Sequence, residues 1–137
     1  MRTPTTALTT RQREQLVGEI ADVCRRFLGD VGAVLMGEPD GLDDHVDHDC
    51  ATTLRRDLVA AAGVVLSPDF GEWGQLTIEG PLSTTVPMSA HVDFTDATTA
   101  TDASGRTLRV TPRELRISLV IDPVTMRVCD AQFSALR

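Results

Sequence analysis

The sequence predicts an α+β fold in which N-terminal helices roof a curved antiparallel sheet of about four to five strands. Two patterns predict it. Val86, Met88, Ala90, Val92 and Phe94 alternate with Pro87, Ser89, His91, Asp93 and Thr95, the period-two rhythm of a strand with one dry and one wet face. Leu16, Ile20, Ala21, Cys24, Phe27 and Leu28 recur at three- and four-residue intervals, which stacks them along one side of a helix. Two further apolar runs, Leu108 to Ile121 and Met126 to Phe133, follow at turn-bounded intervals. The sheet therefore occupies the second half, Trp73 to Ser134, and the first half supplies its cover. A chain of 137 residues fits one domain and can bury a core without staples, with residues 1–8 expected as a flexible lead.

In chain order, Thr9 and Gln12 have capping-box spacing, so the first helix starts there. Arg13, Glu19, Asp22 and Arg26 fall off its apolar stripe, and Gly29 is the expected C-terminal stop. Asp30 to Met36 is ambiguous, with Asp30 a potential cap for a brief second helix, and Glu38-Pro39-Asp40-Gly41 breaks the chain. Ala51 to Ala62 reads as another helix, with Leu54, Leu58, Val59 and Ala62 dry and Arg55, Arg56 and Asp57 wet; Gly63 ends it. Val64 to Leu66 leads toward the core before a turn at Ser67-Pro68-Asp69. Phe70 to Gly74 is a glycine-rich loop that places Trp73 either at a core edge or at the mouth of a cavity.

The sheet opens with Gln75 to Glu79 and breaks at Gly80-Pro81, where proline removes a ladder bond. Ala97 to Gly105 is expected as a flexible hairpin loop. Leu108 and Val110 share one parity while Leu115, Ile117, Leu119 and Ile121 share the other, which a bulge near Thr111-Pro112-Arg113 would reconcile. Asp122-Pro123 turns, and in the last strand Cys129, Ala131 and Phe133 alternate with Asp130, Gln132 and Ser134.

Composition excludes several functions. The 13 basic residues are all Arg and stand against 20 acidic ones, for a formal charge of −7; a nucleic-acid reader needs a basic stripe instead. The absence of Lys, Tyr and Asn rules out Schiff-base chemistry, a lysine-bearing phosphate loop and a tyrosine acid. Cys24, Cys50 and Cys129 are odd in number and far apart, which suits free thiols in a reducing cytoplasm. No run approaches the roughly 18 apolar residues of a membrane span, and neither membrane nor nucleic acid is expected as a partner. All-Arg usage suggests a GC-rich, bacterial origin.

Asp40 to Asp49 holds five aspartates and two histidines, the densest polar cluster in the chain. Were it helical, His45, His48 and the carboxylates at i, i+4 could converge on a divalent ion. No second ligand cluster follows, so a solvated acidic loop or short edge strand is the reading, without metal or cofactor. Asp43-Asp44-His45-Val46-Asp47 also satisfies a DDxxD pattern, but a prenyl-type site needs a larger helical bundle and a second acidic motif.

Helix, short helix, polar segment, helix and bent antiparallel strands together resemble the nuclear transport factor 2-like superfamily, a cystatin-like, cone-shaped α+β roll that includes SnoaL-like cyclases and ketosteroid isomerases. Cys50 to Leu58 is similar to its third-helix pattern, Met88 to Arg109 to its central hairpin, and Leu119 to Val128 to its closing hairpin. The resemblance implies a pocket for apolar ligands between helices and sheet. It also implies a base near Val46-Asp47-His48, where burial would raise a carboxylate pKa and suit it to proton transfer. Without a tyrosine, Asp93, His91 or Arg116 would stabilise an oxyanion. An Asp-Arg-Asp arrangement as in epoxide hydrolases would draw on Asp47, Arg109, Arg116, Asp93 and Asp130.

Two functions follow. The first is a non-catalytic module, paired as a homodimer through the open sheet face, that binds a small apolar ligand or a protein partner, with Trp73, Arg109 and Arg116 as binding residues. The second is a cofactor-free isomerase, cyclase or epoxide hydrolase, with Asp47, His91 and Asp93 as catalytic residues. His91, Asp93, Arg109 and Arg116 also have a structural reading as cross-strand pairs on the uncovered face.

Overall fold

The computed structural model describes residues 8–58, 64–71, 73–108 and 112–136. One long helix lies N-terminal to a curled antiparallel sheet. Helix α1 (Thr10–Met36) begins at the expected box: the Thr9 hydroxyl accepts from the Gln12 amide at 3.1 Å, and the Gln12 side chain accepts from the Thr9 amide at 2.9 Å. Leu16, Ile20, Cys24, Phe27 and Leu28 are buried along it, joined by Val23 and Val31. Gly29 does not stop this helix. It is an exposed interior position, and the stop is Gly37, whose φ of 71° is the left-handed turn that glycine adopts without a Cβ penalty. The ambiguous Val31 to Met36 segment is simply the last turns of α1.

The acidic segment is folded rather than a solvated loop. Helix α2 (Leu42–His45) buries Leu42 and His45. Val46 then forms an isolated parallel bridge with Val128, and α3 (His48–Asp57) starts three residues before the expected Ala51. Ala51 and Leu54 face the core; the Val59, Ala62 and Gly63 expectations lie outside the described residues.

The main sheet has the order β2 (Thr77–Glu79), β3 (Met88–Asp96), β6 (Arg113–Asp122), β7 (Arg127–Ala135), with every neighbour antiparallel. Its central strands carry the alternation: Met88, Ala90, Val92 and Phe94 face Leu115, Ile117, Leu119 and Ile121 on the buried side. Val86 falls outside β3 and is 61% exposed; its amide is held in a turn by the Ser83 hydroxyl. A smaller sheet, β1 (Val65–Ser67), β4 (Thr99–Thr101), β5 (Thr107–Leu108), forms where the chain turns after Asp96. The expected hairpin loop from Ala97 to Gly105 thus contains a strand. β5 and β6 belong to different sheets, and the bulge expected near Thr111-Pro112-Arg113 falls on the stretch Arg109, Val110 and Thr111, which lies outside the described residues. A register shift appears instead at Val120/Ile121, where β7 carries Cys129 as an extra residue between Val128 and Asp130. This brings Val128 to the buried side, with Ala131 and Phe133 continuing on that side beyond the shift. The core joins α1 to the sheet, and Phe27 stacks on Phe133 with ring centroids 6.2 Å apart.

Candidate functional site

A cavity of about 490 Å³, partly open to solvent, lies between the C-terminal part of α1 and the curled end of the sheet. Val31 and Leu35 of α1, Leu58 after α3, Leu66 of β1, and Phe70, Phe94, Leu115 and Phe133 line it. The Phe70 and Phe94 rings meet edge to face at 5.5 Å. Asp96, Thr98, Arg113 and Ser134 supply its charged and hydroxyl groups. Its walls are mainly apolar, with a few polar atoms placed among them.

Asp96 reaches this wall because β3 continues its inward parity by one more step past Phe94. It is 9% exposed. One carboxylate oxygen accepts from both the amide and the hydroxyl of Thr98. The other meets the Arg113 guanidinium at 3.4 Å across the ladder, where the two residues are register partners. Sequence reasoning missed Asp96 by ending the strand at Thr95. The alternation itself was the signal, since residues 88, 90, 92 and 94 leave 96 on the dry face.

The expected site residues are dispersed. His91 and Asp93 sit on the outward face of β3. Arg116 of β6 is the register partner of Asp93 and grips it bidentately, at 2.7 and 3.1 Å; that guanidinium holds the Asp93 carboxyl below the usual aspartate range. His91 Nδ1 lies 3.4 Å from Glu79. Asp47 precedes α3 at the β7 side, 3.4 Å from Arg127 Nε. Trp73 lines a separate depression of about 490 Å³ under Arg25, whose guanidinium lies 5.4 Å from the indole centroid. Arg109 lies outside the described residues. Among the described residues of the expected set, only Asp93 and Arg116 are directly paired.

Two further polar clusters brace the acidic segment. Arg55 binds Asp40 at 2.6 Å and Asp43 at 3.1 Å, which holds the Asp40 carboxyl below its ordinary range. Arg127 donates to the carbonyls of Asp43, Asp44 and Val46, closing the C-terminal end of α2. Cys50 and Cys129 share a groove between α3 and β7, and burial pushes both thiols up; burial takes the Cys24 thiol to about 11. All three cysteines are free. Among the described residues, no group of three His, Cys, Asp or Glu side chains is arranged to hold a metal ion, and no helix is long and apolar enough to cross a membrane.

A scan against protein-family models gives no match, and searches of characterised proteins and of solved structures likewise return none.

Proposed function

We propose that this chain is a cytoplasmic small-molecule-binding module of the nuclear transport factor 2-like type, whose cone-shaped roll holds an apolar ligand in the cavity beneath α1. The observation that carries the reading is the cavity itself: about 490 Å³ walled mainly by Leu, Val and Phe side chains. Water in such a space has few hydrogen-bond partners, so an apolar guest gains by displacing it. Three free thiols suit a reducing compartment. The polar outer sheet face, with Ser118 and the Asp93–Arg116 pair, supports assembly as a homodimer through that face.

Acid–base catalysis is the second reading, and Asp96 favours it as a carboxylate beside an apolar space. Binding is the stronger reading because Asp96, Thr98 and Arg113 are joined in a single cluster; among the described lining residues no other titratable group stands apart from them to act as a second catalyst.

Titration with the neutral dye Nile red tests the site. Saturable fluorescence enhancement at one dye per chain is expected, weakened at least about tenfold in Leu35→Trp, which fills the cavity. Absence of saturable binding, or equal binding by the folded variant, overturns the reading. Sedimentation equilibrium tests the assembly: a dimer that Ser118→Arg converts to monomer is expected, and a monomeric wild type excludes it.

A further inference from the structure

The two oxygens of Asp96 are unequally served. Oδ1 accepts from the Thr98 amide at 3.0 Å and from the Thr98 hydroxyl. Oδ2 has Arg113 Nη2 as its protein donor among the described residues, at 3.4 Å, against about 2.7–2.9 Å for a strong charge-assisted bond. The Asp96 side chain is 12% exposed, whereas that of Arg113 is 62% exposed. The guanidinium is thus largely hydrated, and its long contact does little to offset the cost of withdrawing a carboxylate from water.

The geometry points to a ligand that carries an ammonium group on an apolar body. The ammonium donates to Asp96 Oδ2, and the body lies among Val31, Phe94, Leu115 and Phe133. This rests on the cavity being the ligand site, as proposed above. A carboxylate ligand is disfavoured because it would approach Asp96 at close range, and the chain's formal charge of −7 adds to the repulsion. A hydroxyl would fill the acceptor without offsetting its charge, and neutral bonds are weaker than charge-assisted ones. Arg113 can move into solvent as the ammonium enters, since most of its side chain is already there.

Calorimetric titration with decylammonium, decanol and decanoate below their micelle concentrations, at pH about 7, where the amine is charged and the acid ionised, separates these cases. Decylammonium is expected to bind about tenfold tighter than decanol, with decanoate weakest. Asp96→Asn should abolish the preference, with its fold checked by circular dichroism. Arg113→Gln removes the competing cation at an exposed position and should strengthen ammonium binding. Equal affinity for decylammonium and decanol in the wild type, preference for decanoate, a preference surviving Asp96→Asn, or no gain in Arg113→Gln each overturns the proposal. If all three probes bind alike, only the head-group assignment fails. If none binds and Nile red also fails, the cavity reading falls with it.

Discussion

His45 Nε2 rests against the carboxylate of Asp30, tying the end of α2 to the last quarter of α1. Asp30 works with both oxygens, since its Oδ1 accepts the Gly41 amide at 3.0 Å. His45 is 3% exposed, and its Nδ1 is buried without a partner among the described residues. Replacing Asp30 by Ala strands both the imidazole nitrogen and the Gly41 amide, and should cost about 2–3 kcal/mol in urea unfolding. His45→Ala should cost a similar amount. The double variant should fall short of the sum by about 1 kcal/mol or more. Strict additivity would show that the two side chains do not act as a unit.

The two glycines near the end of α1 should respond oppositely to alanine. Gly29 lies inside the helix, exposed, and a Cβ there meets nothing within 4 Å. Gly29→Ala should raise stability by about 0.5–1 kcal/mol through helix propensity. Gly37 holds φ at 71°, where an alanine is strained, so Gly37→Ala should lower stability by about 1 kcal/mol. Thermal unfolding followed at the helix band reads both. A loss in the first variant would place the true end of the helix at Gly29.

Acid should unfold the protein partly through Asp40 and Asp93. Arg55 and Arg116, respectively, hold these carboxyls below their ordinary range, so the unfolded chain takes up a proton at higher pH than the folded one. The stabilisation is fully present above the unfolded value of about 4 and is lost as pH falls through the lower folded values. Asp40 carries more of this effect than Asp93, because its side chain is 12% exposed against 40%. In Asp40→Asn, stability measured between pH about 5 and 2 should fall less steeply than in the wild type. An unchanged acid slope would show the Arg55 pair to be energetically silent.

Local chemistry made part of this fold legible in the sequence. The Thr9/Gln12 box and the Leu16 to Leu28 stripe locate α1, and strict alternation locates β3, because both depend on neighbours a few residues away. The end of α1 was not legible, since two glycines in similar surroundings differ only in φ. The acidic segment was misread for a different reason. Its charges look solvated until Asp30, Arg55 and Arg127 are brought to them from 11 to 84 residues away. Cys129 was placed in phase with Ala131 by counting, but the extra residue in β7 inserts Val128 into the core. Within the cavity, Asp96 was within reach of the alternation, whereas its neighbours Leu35, Leu58 and Arg113 converge only through tertiary packing.

The stacking of Phe27 on Phe133, and the bridge of Val46 to Val128, join early and late parts of the chain. A polypeptide emerging from the ribosome amino end first therefore carries the oily side of its long helix bare until the final strand follows. Such distant closures slow the search for the finished form and leave an interval open to clumping. Removing β7 would extend that interval indefinitely, so a truncated product should collect in inclusion bodies rather than persist as a smaller folded unit.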